Sequence, residues 1–207
     1  MMKPTRIPLF PLDVVLLPRM VLPLHVFEPR YKKMIGLCLD EKIEFGMVLA
    51  TEKTVATVGC TAVVTEKVME YSDGRMDIIT EGRSVFHVNE ILEEKDYYEA
   101  RVSYLEDDSS RAIEEPDPRL VEAFEQCHVL LFGQVWTDSE PLDRASLAYR
   151  MAAQLPMPLA DKQQLLDTRN ENDRRAFLLS WLLPFVPELM KRQEARRRAG
   201  GNGHGPN

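Results

Sequence analysis

Residues 7–31, IPLFPLDVVLLPRMVLPLHVFEPRY, constrain this chain more tightly than any other segment. Their apolar density suits buried strands. Yet Pro8, Pro11, Pro18, Pro23 and Pro29 each lack a backbone donor. A strand paired on both sides needs those donors, so proline is confined to edges, strand starts and turns. The segment therefore predicts short, broken strands joined by turns at the margin of a core.

Beyond it, the first half of the chain keeps a period of two, the strand signature. In YYEARVSYL, Tyr98, Ala100, Val102 and Tyr104 share one face and Glu99, Arg101 and Ser103 the other. In EFGMVLA, Phe45, Met47 and Leu49 share a face, and in SVFHVNEIL so do Phe86, Val88 and Leu92, although Glu90 breaks the row. Ser72-Asp73-Gly74 marks a hairpin turn, with glycine supplying the positive φ. One helix interrupts the pattern. Pro29 suits a first helical position, and Tyr31, Met34, Ile35 and Cys38 follow at helical spacing. About seven short strands in residues 1–110 suit a closed or half-closed barrel, which hides strand edges.

Near residue 110 the period becomes helical. Asp117-Pro118 offers a cap and a first turn, with Leu120, Phe124, Cys127, His128 and Leu131 on one stripe. Further helices are expected over 141–154 and 158–167 and from about residue 171, where Phe177, Leu178, Trp181 and Leu182 form an apolar face and Pro184 should kink or break the helix. The expected division is a β-barrel at 1–110, a helical subdomain at 111–195 and a disordered tail at 196–207, since AGGNGHGPN has nothing to bury. The fold class is α+β.

With 207 residues, 44% of them hydrophobic, the chain can bury a real core. No apolar run reaches the length of a membrane span, and the N-terminus lacks an uninterrupted signal-peptide core, so a cytoplasmic protein with no membrane contact is expected. Cys38, Cys60 and Cys127 are odd in number and widely spaced, which suits reduced, buried thiols rather than a disulfide framework or zinc knuckle. Residues 1–118 hold 14 Lys and Arg against 22 Asp and Glu, a net charge of −8. An acidic surface repels phosphate, so nucleic acid is an unlikely partner for that half. The basic cluster KRQEARRR at 191–198 suits a solvated helix end.

Signatures of catalysis are missing: there is no P-loop, GxGxxG, HExxH or GxSxG. His25, His87, His128 and His204 are scattered, and Cys60 lies near Glu52 and Glu66, not in an electropositive setting that would activate a thiol. No catalytic residue, metal site or cofactor is expected.

Five ordered pieces then carry a resemblance: IPLFPLDVVLLPRMVLPLHVFEPRYKKMI, FGMVLA, VGCTAVV, SDGRMDIITEGRSVFHV, and YRMAAQLPMPLADKQQLLDTRNENDRRAFLLSWL. In this order they resemble the N-terminal substrate-recognition domain of the Lon protease family, over about residues 6 to 190. The resemblance implies a PUA-like pseudo-β-barrel followed by a small α-helical bundle. It implies recognition of unfolded or client polypeptides, with a separately encoded protease as a partner, and no enzyme activity. The Ser–Lys dyad and ATPase motifs of full-length Lon have no counterpart residues here. One departure stands out: Val85 precedes Phe86 where the family often has Arg, leaving Arg83 as the nearest replacement.

For the proline-rich stretch two readings stand side by side. In one, the prolines stiffen an irregular barrel margin. In the other, Phe10, Leu12, Leu17, Pro18, Val21 and Leu22 form a peptide-binding groove, with Arg30 and Lys33 attracting acidic side chains. A PUA-like RNA-binding module and an interaction scaffold are the alternatives to polypeptide recognition.

Overall fold

The computed structural model describes residues 3–138, 140 and 143–201. In chain order its elements are β1 (Arg6–Leu12), β2 (Val21–Val26), α1 (Pro29–Glu41), β3 (Phe45–Leu49), β4 (Val58–Glu70), β5 (Met76–Leu92), β6 (Glu99–Tyr104), α2 (Pro118–Phe132), a 3-10 turn (Arg144–Ser146), α3 (Leu147–Ala153), α4 (Leu159–Asp167) and α5 (Glu171–Gly201). They form two compact units, one of residues 1–109 with 156–169, the other of 110–155 with 170–207.

The first unit is a six-stranded sheet in the order β2-β5-β4-β3-β1-β6, and β6 pairs back onto β5. Five strands thus close a ring, and β2 pairs with β5 on one side only. Inside the ring Ile7, Leu9, Val48, Phe86, Ala100 and Val102 form one cluster. On the other face of β1, the Phe10 ring stacks on Tyr31 of α1 at 4.1 Å and lies 6.2 Å from Phe45. β1 and β3 are therefore buried on both faces, and their sequences read as continuous apolar runs instead of alternating ones. Of the expected row in β3, Phe45 and Met47 are buried and Leu49 half-buried, but Val48 on the opposite face is buried too.

Each proline sits where its missing donor has no partner to lose. Leu9 N–H donates to Tyr98 O and Val102 N–H to Thr5 O, both at 2.8 Å, so the odd positions of β1 face β6. Pro8 faces the other way, one residue before β1–β3 pairing starts at Leu9–Gly46. Pro11 faces the β6 side, beyond the last β1–β6 pair at Pro8–Glu99. Pro18 is the second residue of a turn closed by Met20 N–H to Leu17 O at 3.0 Å, and Arg19 takes the third position at φ 68°. This is a type II turn with arginine where glycine is usual. Pro29 opens α1.

Two details of the strands come from the structure. Glu99, which shares a face with Arg101 and Ser103, is buried, with Arg6 at 2.5 Å and Lys95 at 3.0 Å to neutralise it. The break at Glu90 is a bulge: Val88 pairs Val102 and Glu90 pairs Arg101, so Asn89 is extra. The hairpin turn falls as expected, with Gly74 at φ 79°.

Helix α4 belongs to the barrel unit, not to a contiguous helical subdomain from 111 onward. Its Gln163 side chain donates to Val58 O of β4 at 3.1 Å, and Asp108 N–H donates to Arg169 O at 2.6 Å. Leu165 and Leu166 supply its buried face.

In the second unit, Asp117 caps α2 by accepting from Arg119 N–H, and Pro118 begins the helix. Pro141 and Leu142, where a helix was expected to begin, lie outside the described residues; the turn at Arg144–Ser146 leads into α3. α5 does not break at Pro184. It continues through Pro184 and Pro187 to Gly201, past residue 196, where the disordered tail was expected to start. Both prolines, with Ser180 and Leu183 one turn before them, lie on the exposed side, where water can satisfy the freed carbonyls. Residues 202–207 lie outside the described residues.

The hub of this unit is Glu171, which accepts from Arg174 Nε at 3.0 Å, Arg175 Nε at 2.8 Å and Ala148 N–H at 2.9 Å. The two guanidinium groups reach further, Arg174 to Ala145 O and Arg175 to Glu114 O and Arg144 O.

Candidate functional site

Among the described residues the ring leaves two strand margins unpaired, the outer side of β2 and the side of β4 away from β5 beyond Ala62; β2 is the one that a proline interrupts. Its register on β5 runs from Val21–Glu81 to Val26–Met76. Gly82 anchors the phase: its N–H donates to Met20 O at 3.0 Å and its C=O accepts from Arg19 N–H at 2.9 Å. Backbone groups alternate sides along a strand, so Thr80, Ile78 and Met76 also face β2, and their partners Leu22, Leu24 and Val26 face β5. Val21, Pro23 and His25 therefore turn their backbone groups outward, where no strand pairs among the described residues.

Pro23 occupies the middle outward position and presents only a carbonyl. Val21 and His25 on either side present a donor and an acceptor each. The margin is thus open but interrupted.

Apolar side chains gather beside it. Val21 is 60% exposed and Phe27, just past the strand, 58%; Val68, Met69 and Tyr71 at the end of β4 are exposed too. His25 ties the strand down: its Nδ1 lies 2.6 Å from Asp77 Oδ1, and Tyr71 donates its hydroxyl to Asp77 Oδ2 at 2.8 Å. Those bonds, His25 first and then Tyr71, hold the Asp77 carboxyl below its ordinary range. The His25 ring lies 5.9 Å from Phe27 and 6.1 Å, edge-on, from Tyr71. Lys32 of α1 donates to Asp73 O at 2.7 Å and so fixes the hairpin tip.

The residues proposed from sequence for a groove do not line one surface. Phe10, Leu17 and Pro18 are in the core, Leu12 and Leu22 are half-buried, and Val21 is exposed. Arg30 is half-buried, bonded to Glu28 at 3.0 Å and 4.6 Å above the Tyr31 ring. Lys33 is exposed and paired with Asp96 at 2.7 Å, which raises its pKa. Phe27, Met69 and Tyr71 escaped sequence reasoning, since only pairing across β2, β5 and β4 brings them to one end of the ribbon. Arg83, the nearest replacement for the absent Arg, contacts Glu81 at 3.4 Å.

All three cysteines are buried, and desolvation pushes Cys38 up to about 12 and Cys127 up to about 11, and raises Cys60 as well. Such thiols hold their protons and are poor nucleophiles. Among the described residues no three His, Cys, Asp or Glu side chains converge as metal ligands, and no helix is long and apolar enough to cross a membrane.

The family profile of the ATP-dependent protease La (LON) substrate-binding domain matches residues 6–183. The chain belongs to this LON substrate-binding domain family. Lon protease of Escherichia coli (strain K12) is 25% identical over 210 residues, an alignment that takes in 93% of this chain but 26% of that protein. Lon protease of Vibrio parahaemolyticus is 27% identical over 211 residues with the same coverage. The chain thus spans about a quarter of the length of the curated relatives it matches. Among solved structures, a Lon N-terminal domain protein from Xanthomonas campestris superposes with a TM-score of 0.68 at 27% identity, covering 86% of this chain and 98% of that one. The N-terminal domain of Mycobacterium avium complex Lon protease, at TM-score 0.63 and 16% identity, shares the fold. The LON domain assignment supports a substrate-recognition module.

Proposed function

We propose that this chain is a non-catalytic polypeptide-recognition module in which the outward edge of β2 takes an extended client segment as an added strand. The observation that carries the reading is that edge: outward backbone groups at Val21, Pro23 and His25, with exposed Val21 and Phe27 beside them. Main-chain hydrogen bonds provide affinity in this mode, and neighbouring apolar side chains provide preference. Of the residues proposed from sequence, Val21 belongs to this edge, and Leu22 beside it faces β5. The proposal extends to a cytoplasmic adaptor that hands clients to a separately encoded protease or holds them for quality control.

The charge pattern argues against the RNA alternative in the barrel unit. An RNA site needs a contiguous basic strip with exposed aromatics. Here Arg30 is bonded to Glu28, Lys33 to Asp96 and Lys32 to a carbonyl of the hairpin turn.

The test is titration of the protein against an array of denatured polypeptides, with amide exchange followed at Val21 and His25. Saturable binding that slows exchange at both amides is expected. Absence of binding to every client, while other LON N-terminal domains bind in the same assay, ends the reading. A mobility shift with RNA that survives deletion of residues 191–207 would favour the nucleic-acid module instead.

A further inference from the structure

An edge able to accept a foreign strand is able, in principle, to accept its own copy, and proteins with such edges need a way to avoid it. We infer that Pro23 is the specificity-determining residue of this edge: it discriminates against pairing of β2 with the β2 of a second copy while leaving a foreign strand acceptable. The inference rests on the reading of this edge as a docking strand.

The phase set by Gly82 makes the case. Outward groups belong to Val21, Pro23 and His25 alone. In an antiparallel pair, outward residues must face outward residues, and each facing pair exchanges two hydrogen bonds when both residues have an N–H. Two copies of β2 centred on Pro23 set Val21 opposite His25 on each side and Pro23 opposite Pro23. Both donors of the central pair are then missing, and two pyrrolidine rings occupy the space where the hydrogens would lie. Sliding the copies by one outward position, so that Pro23 faces Val21 or His25, again removes two donors, one from each copy, and shortens the ladder. Every in-phase homotypic register with more than one facing pair therefore loses two donors. A proline-free client loses one, and its own donor opposite Pro23 still reaches the Pro23 carbonyl.

The surroundings fit this role. Pro23 is exposed, so its ring does not fill the core, and the partner of Pro23 on β5, Ile79, pairs without needing the absent donor. The flanking side chains Val21 and Phe27 are apolar and exposed, features that would otherwise favour association of two copies.

The experiment compares wild type, Pro23→Val and Pro23→Lys of the full chain by sedimentation over a dilution series, with far-UV circular dichroism to confirm the fold and Pro23→Thr as a second β-branched variant. Pro23→Val and Pro23→Thr are expected to rise above wild type at equal concentration, toward twice the chain mass of 23.8 kDa. Pro23→Lys restores the donor but sets like charges against each other, so it is expected to track wild type. If both β-branched variants fold and keep the mass of wild type throughout, the inference is overturned. It is equally overturned if Pro23→Lys associates as strongly as Pro23→Val, because edge pairing would not then be the cause. The same samples are titrated with denatured client. Loss of client binding by wild type and every variant would end the docking reading alone, since the mass comparison decides the role of Pro23 by itself.

Discussion

Replacing Gly82 with alanine tests the joint that sets the position of β2. A Cβ at this residue would lie 2.1 Å from Leu17 O and 3.0 Å from Leu17 C, both backbone atoms of the 17–20 turn. No side-chain rotation relieves that contact, so the turn must move by more than an ångström. Moving it breaks the Arg19 N–H to Gly82 O bond of 2.9 Å and the Gly82 N–H to Met20 O bond of 3.0 Å. Two such bonds are worth about 2 kcal/mol together, and the forced displacement adds about 2 kcal/mol. The better strand propensity of alanine returns about 1 kcal/mol. The net cost is about 3 kcal/mol, a fall of about 9 °C in melting temperature for a chain of this size. Differential scanning calorimetry gives the total. Amide exchange places it: protection at Leu22 and Leu24 should drop, while Phe86 and Val102 in the ring keep most of theirs. A melting point within a degree of wild type, with β2 protection unchanged, would refute the view that this close approach registers the edge strand.

Three further outcomes are expected. Lys42 closes α1 in the left-handed region at φ 53°, exposed and without a side-chain bond; Lys42→Gly should stabilise by about 1 kcal/mol, measured as a higher urea midpoint. Glu171→Ala strands two buried guanidinium groups and should cost about 4 kcal/mol, read as loss of the α3 and α5 signals before the barrel melts. Burial alone would raise the Asp138 carboxyl, but two bonds from Arg150, at 2.8 Å each, and one from Glu140 N–H outweigh it and hold the group below its ordinary value. A depressed acid contributes stability above its unfolded pKa near 4, and the contribution disappears as the pH falls through the folded value. Acid titration should therefore loosen the second unit of wild type more steeply than that of Asp138→Asn.

Much of the architecture was legible because local chemistry dictates it. Asp117-Pro118 starts a helix wherever it occurs with an apolar stripe behind it, and Ser72-Asp73-Gly74 turns a hairpin because glycine tolerates the φ required. The family was legible as well, since five ordered segments carried it without any need to know which side chains point inward. The exposure of individual apolar residues was not. Phe10 looks the same on paper as Val21, and what separates them is that α1 covers Phe10 on one face of β1, whereas among the described residues no strand pairs the outer side of β2. Pro184 misled for a related reason. A proline costs a helix least on its solvent side, and exposure is a tertiary property.

Composition and spacing by themselves determined that the chain makes a proline-bent β module and a helical module, because propensity, periodicity and capping act over a few residues; the family came from the resemblance of five ordered segments. Tertiary structure alone decided that α4 returns to the barrel, that Glu99 is buried, and that β2 keeps an open side with Pro23 at its centre. Those outcomes depend on which strands pair, and pairing joins residues as far apart as Leu22 and Thr80, whose meeting no local pattern encodes.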